Sequence, residues 1–339
     1  EKDQGRLGRN SPALVDRLRK LGGLFYYQDR LGEAEEKFLE ALRITHLVEG
    51  EESENAGVVS SNLGSVYQDQ GKMDDALRMQ KRALRVYRRV HGDEHPNVAQ
   101  ALTDMGSVLG QKGMSDRAMA KLDEAHGMFS RLHGKHHEKV AMVLAIMAMV
   151  LKQQGKDAEA AAMEEKVLGI RRRTLGSDDD RVARALLNLG GSYAKQGMNV
   201  EALVRLEEGL GIVRRIHPEG NVMEGKFLET IGLVYSAQGK LEDALAMLKK
   251  AHRIFRKTLG PDCADVGRVL LSTADVLMRQ GKDKDSVERF EEAIAILRRA
   301  LGDEHTEVAE AERRNLRSES DERGACSLFH LGVSYLKQG

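Results

Sequence analysis

Apolar residues recur along this chain at three- and four-residue spacings. Leu63, Val66 and Tyr67 stand at i, i+3 and i+4, the spacing of one helix face. The polar break "QGK" around Gly71 interrupts the pattern, and glycine there suits the left-handed conformation that ends a helix. A second apolar stripe begins near Met73, runs through Ala76, Leu77, Ala83, Leu84 and Val86, and stops at Gly92. The pattern predicts two amphipathic helices joined by a tight turn. A linking phrase, "DEHP", then leads to the next pair.

The pair repeats. Gly71, Gly113, Gly155, Gly197, Gly239 and Gly281 follow one another at intervals of 42 residues, and one further step back lands on Asp29. Seven residues before these positions stand Gly22, Gly64, Gly106, Ala148, Gly190, Gly232 and Ala274. Five residues after them stand Ala34, Ala76, Ala118, Ala160, Ala202, Ala244 and Ser286. Seven further on come Ala41, Ala83, Ala125, Val167, Gly209, Ala251 and Ala293. Seven copies in one register predict a repeat array whose units contact mainly their neighbours. The small residues predict a close approach within each pair: Gly64 on the first helix, Ala76 and Ala83 on the second. On this reading Gly190 admits no large side chain, whereas Ser192 does. Pro12, Pro96, Pro218 and Pro261 fall in the expected loops or helix starts.

The series Leu63, Gly64, Tyr67, Gly71 and its copy Leu189, Gly190, Tyr193, Gly197, followed by two alanine positions, resembles the tetratricopeptide repeat. The linking phrases "HGDEHPNVA", "LGSDDDRVA" and "LGDEHTEVA", with the period of 42, look like the kinesin light chain type. The resemblance implies an all-α fold, a right-handed α-solenoid of about seven antiparallel helix–turn–helix repeats plus a partial eighth. Residues 1–10 then read as a flanking segment and 11–310 as the repeats. Residues 311–326 read as a charged insertion or linker, and 327–339 as the first helix of a truncated further repeat. The chain opens without Met and closes inside a repeat, so a segment of a longer protein is expected.

Composition narrows the function. The 53 basic and 53 acidic residues cancel, which gives no global attraction to nucleic acid or an anionic membrane. There is no Trp and aromatics are 4%, so base-stacking platforms are not expected. Cys263 and Cys326 are too few to staple a fold of this length, which points to a reducing compartment and a cytoplasmic setting. The longest apolar run, "VAMVLAIMAMVL", makes a helix of about 18 Å, too short to cross a bilayer.

Candidate chemistry is sparse. His133, His136 and His137 cluster in "LHGKHHEKV" and could ligate zinc. His91, His95 and His305 occupy the same linking slot of other repeats without a cluster, so a surface loop is the reading kept. Asp178, Asp179 and Asp180 lack the Gly and distant Glu of a calcium loop and read as a helix cap. Basic pairs such as Arg88–Arg89 and Arg214–Arg215 near second-helix ends, with acids near the starts, read as macrodipole compensation. No nucleotide loop, nucleophile elbow or zinc-protease motif occurs. A non-enzymatic chain without cofactor or metal is expected.

The resemblance implies that first helices line a concave groove. Its slots would hold Asp16, Arg19, Ser61, Asn62 and Ser65, then Gln100, Thr103 and Ser107. The fourth repeat offers an apolar set, Met142, Ala145, Ile146 and Met149. Arg184, Lys226 and Arg268 follow 42 apart, with Asn188 one turn after Arg184. Kinesin light chains present paired Asn here to hold an extended cargo peptide, and Asn62 and Asn188 each match without a neighbour. Co-chaperone tetratricopeptide domains clamp a terminal carboxylate with Lys, Arg and Asn, and Arg184, Asn188, Lys226 and Arg268 are similar in type. The expected function is a protein-interaction adaptor that takes an extended or short helical segment, an apolar anchor with an acidic flank. A structural subunit of a large cytoskeletal or ciliary assembly and a sensor domain of a longer multidomain protein are the alternatives.

Overall fold

The computed structural model describes residues 11–316. They fall into two compact units, divided between Thr174 and Leu175. The first unit holds α1 (Pro12–Tyr27), α2 (Leu31–Val48), α3 (Glu54–Asp69), α4 (Met73–His91), α5 (Pro96–Gln111), α6 (Ser115–His133), α7 (Glu138–Gln153) and α8 (Asp157–Leu175). The second holds α9 (Asp180–Lys195), α10 (Asn199–Ile216), α11 (Val222–Ala237), α12 (Leu241–Leu259), α13 (Ala264–Arg279) and α14 (Asp283–Leu301). No strand occurs among the described residues. Odd-numbered helices are the first of each pair, even-numbered the second. Each second helix packs back on its first, α8 on α7 through Ala160 against Ala148 and Leu151, and on the first helix of the next pair in the same unit; successive first helices also touch. This is the all-α stack of antiparallel hairpins that the repeat implied.

The turns follow from one backbone state. Gly71, Gly113, Gly155, Gly197, Gly239 and Gly281 all have φ between 71° and 76°, and Asp29 holds the same place at 59°. Asp29 is the one non-glycine residue with positive φ among the described residues.

The close approach lies where the small residues predicted it, with a different partner. A Cβ on Gly106 would lie 2.6 Å from Leu122 Cγ and 3.3 Å from the Ala118 carbonyl; on Gly190 it would meet Leu206 and the Ala202 carbonyl at the same distances. The alanine therefore brings its backbone close, and the residue four positions later covers the glycine. Ala34, Ala76, Ala118, Ala160, Ala202 and Ala244 are fully buried. Ser192 departs from expectation: it too is fully buried, on nearly the opposite side of the helix from Gly190 and in the column of Val150 and Val234.

The linking phrases cap the first helices. The side chains of Ser11, Ser53, His95, His137, Asp179, Asn221 and His305 each accept a hydrogen bond from a backbone N–H two or three residues on. Such a cap stabilises a helix by about 1 kcal/mol. The cap role explains the histidines of this slot. His137 also stacks on His133 at 4.5 Å, as His95 stacks on His91 at 3.9 Å. No group of three metal-ligating side chains is assembled among the described residues.

The basic pairs do more than compensate dipoles. Four arginines in the last turns of second helices each reach an acid in the preceding linking phrase: Arg89 to Glu52, Arg131 to Glu94 at 2.5 Å, Arg215 to Asp178 at 2.6 Å, Arg299 to Asp262 at 2.8 Å. Helical structure also continues past residue 310. Residues 306–316 are helical, with Val308 and Ala311 buried. Glu312 pairs with Arg298, and Arg314 with Asp275 at 3.1 Å, so these charges tie the segment down where a linker was expected. The rest of 311–326, together with 1–10 and 327–339, lies outside the described residues.

Candidate functional site

The expected partner-binding slots lie on the faces of the first helices, and the two units carry different chemistry there. In the first unit the face is crossed by polar links between successive first helices. Tyr26 donates to Asp69 at 2.6 Å, Gln68 to Ser107 at 2.9 Å, and Lys139 to Gln100 at 2.7 Å. Gln100 in turn donates to Asp104 at 2.9 Å, and the Ser61 hydroxyl stands 3.5 Å from the same carboxylate. Asp104 was not among the expected residues, although it stands in the column of Asn62, Ile146 and Asn188. Burial pushes its carboxyl up to about 6, against the pull of Gln100 and Lys139. Thr103 drops out of the face: it is fully buried and its hydroxyl donates to the Ala99 carbonyl at 2.8 Å. Asp16 and Arg19 bind each other at 2.8 Å on α1. Asn62 and Ser65 are half-buried on α3.

The fourth pair replaces this polar ladder with apolar side chains. Met142, Ala145, Ile146 and Met149 are all half-buried on α7, at spacings that place them on one side of the helix. Their opposite side, with Val140, Leu144 and Leu151, is buried in the hairpin.

In the second unit Arg184 and Asn188 stand exposed one turn apart on α9, and Lys226 is exposed on α11. Among the described residues no hydrogen bond or ion pair engages the side chains of these three. Arg268 on α13 differs from the expected free cation. Its guanidinium meets Glu307 at 2.9 and 3.2 Å and Asp265 at 2.9 Å, so its charge is spent within the fold. Glu229 on α11 has its carboxyl pushed up to about 7, first by burial and then by the Asp265 carboxylate; Arg268 and Lys226 oppose the shift. Glu229 occupies one of the face slots, three residues before Gly232. The face of this unit is therefore mixed in charge, cationic at α9 and α11 and internally paired at α13.

The model of the tetratricopeptide repeat family matches residues 55–129, 147–215 and 225–299. The chain is a tetratricopeptide repeat protein. The array is similar in fold to several solved structures. BtubC (BKLC) from P. vanneervenii is 22% identical, covering 67% of this chain and 90% of its own, with a TM-score of 0.57. The nearly identical TPR-like repeats of a Podosopora anserina protein described as a kinesin light chain are 18% identical, covering 61% and 98%, with a TM-score of 0.51. A Rap protein complexed with Competence and Sporulation Factor is 15% identical, covering 88% and 76%, with a TM-score of 0.64. None of the curated proteins matches the chain significantly. The array is thus a protein-interaction scaffold in the general sense, and the matched family is a helical repeat rather than an enzyme family. No helix among the described residues is long and apolar enough to cross a membrane.

Proposed function

We propose that this tetratricopeptide array is an adaptor that takes extended or short helical partner segments on its first-helix faces. The observation that carries this reading is the pair Arg184 and Asn188. They stand exposed and unpartnered one turn apart, on a face where Arg268 is fully engaged by its own neighbours. A guanidinium and an amide so placed suit a carboxylate, from an acidic side chain or a chain terminus. In the other unit the strip Met142, Ile146 and Met149 suits a bulky apolar residue, because methionine adapts to irregular partners. Burying such an anchor contributes about 1.5–3 kcal/mol. Each exposed charge adds less, about 0–1 kcal/mol, and sets polarity and salt dependence. A Rap protein of like fold is complexed with a factor, which supports a bound-partner role for this chain. A cytoplasmic setting, cytoskeletal or ciliary, is the location that fits.

The test is recovery of bound partners by the wild-type array and by two variants, Met149→Asp and Arg184→Glu with Lys226→Glu. Loss of a partner from either variant, at unchanged helical circular dichroism, is the expected result. Partners retained by both variants at wild-type affinity sink the proposal, and the structural-subunit reading then replaces it.

A further inference from the structure

On the outer side of the first unit, among the second helices, the repeat is broken at one place. Between α6 and α8, over α7, lies a cavity of about 510 Å³. Its floor is Val140, Leu144 and Ile170. Its rim carries Lys135, Lys166 and Arg173, and among the described residues no hydrogen bond or ion pair engages these three side chains. The Ser130 hydroxyl oxygen lines the cavity, buried and without a hydrogen-bond partner. Many helical hydroxyls of the array bond back to the carbonyl four residues earlier, as Ser60 does to Ala56 at 2.6 Å; Ser192, like Ser130, does not.

The repeat supplies its own controls. One repeat earlier, the slot between α4 and α6 is closed by ion pairs. Arg88 bridges to Glu124 at 2.6 Å and to Asp93 at 3.3 Å, and Arg131 binds Glu94 at 2.5 Å. Forty-two residues on, Arg88 becomes Ser130, Glu124 becomes Lys166, Asp93 becomes Lys135 and Glu94 becomes His136; only the last arginine persists, as Arg173. Every acid of the closed slot is gone. Three repeats after the open one, the equivalent slot holds about 190 Å³. There Arg256 replaces Ser130, Glu292 replaces Lys166, and Asp262 replaces His136 and binds Arg299 at 2.8 Å.

Two glycines enlarge the open slot. Gly127 and Gly169 line it from mid-helix positions. A Cβ on Gly169 would meet nothing within 4 Å, and on Gly127 only the flexible end of Arg131 at 3.3 Å. Helix packing requires neither glycine, and both cost helix stability relative to alanine.

We propose that this cavity is a binding site for a small organic anion, an apolar aromatic or aliphatic body bearing a carboxylate, sulfonate or phosphate. The apolar floor takes the body. Lys135, Lys166 and Arg173 neutralise the anion, and the Ser130 hydroxyl donates to it. The volume lies in the range of small-molecule sites, about 300–1,000 Å³. The occupant is compact because the cavity does not continue into the neighbouring slot of the same unit, which the Arg88–Glu124 ion pair spans. The site is separate from the partner-binding face: Val140 and Leu144 are on the opposite side of α7 from Met142 and Met149.

The probe is anilinonaphthalene sulfonate, an apolar body with one anionic group, titrated by fluorescence into the intact chain. Its uncharged counterpart is N-phenylnaphthylamine. Saturable binding at one site is expected, with weaker binding of the uncharged compound. The paired substitution Ser130→Arg with Lys166→Glu should weaken the sulfonate by about tenfold or more. It copies the arrangement with which the earlier repeat already folds, so circular dichroism should be unchanged. No binding by the wild type, equal binding of the uncharged compound, or equal binding by the variant overturns the proposal. Self-association of the wild type that this variant abolishes would mark the slot as a contact between copies and overturn it as well.

Discussion

Lys152 Nζ lies 2.6 Å from Glu164 Oε1, inside the α7–α8 hairpin, with only 4% of the Glu164 side chain exposed. Glu164 occupies the position that covers the small residue of the first helix, here Ala148. The other repeats place Phe38, Gln80, Leu122, Leu206, Leu248 and Phe290 there. A buried carboxylate with one cation is costly once that cation is removed, while an apolar pair of similar volume packs as well or better. Lys152→Met should therefore destabilise by about 3–5 kcal/mol, and Lys152→Met with Glu164→Leu should restore wild-type stability or exceed it. Urea unfolding of the three proteins measures this; a double variant no better than the single would refute the buried-pair account.

Neighbouring glycines on α9 should respond with opposite sign. Gly190→Ala pushes a methyl into Leu206 and the Ala202 carbonyl and should cost about 1–3 kcal/mol. Gly191→Ala meets nothing within 4 Å and should gain about 0.5–1 kcal/mol from helix propensity. Melting temperatures that move the same way for both would contradict the packing described.

Asp29 holds a left-handed turn that glycine holds in the six repeats that follow. Asp29→Gly removes the steric cost of a side chain at positive φ and should stabilise by up to about 1 kcal/mol. Asp29→Val should destabilise, because a β-branched residue adopts this state poorly. Thermal melts that rank valine above glycine would contradict this.

Glu229 makes stability depend on pH. Its carboxyl is raised from 4.5 to about 7, so the folded state binds the proton more tightly than the unfolded chain does. Its contribution is fully present below about pH 4.5 and is lost as pH rises through about 7. Glu229→Gln should therefore stabilise by about 1–3 kcal/mol at pH 8 and change little at pH 4.5. Equal effects at both pH values would show that the carboxyl titrates normally.

The repeat, its hairpins, its turns and its small contact positions were legible from spacing alone. Each is a local requirement that recurs every 42 residues, and a short turn leaves two amphipathic helices one way to bury their apolar stripes. Even the burial of Ser192 was legible in that register, since Val150 and Val234 flank it at one repeat on either side. What the tertiary structure decided is which polar residues spend their charge on one another. Arg268 is neutralised by Glu307, 39 residues away, and Arg131 by Glu94, 37 residues away. Those separations match no helix-face spacing and become contacts only when successive hairpins stack. The same stacking leaves Arg184 and Asn188 uncovered in the second unit and, where Ser130 and Lys166 stand in place of the paired Arg88 and Glu124, leaves a cavity in the first. Composition could not show either, because a charge is available to a partner only when folding brings no opposite charge within reach.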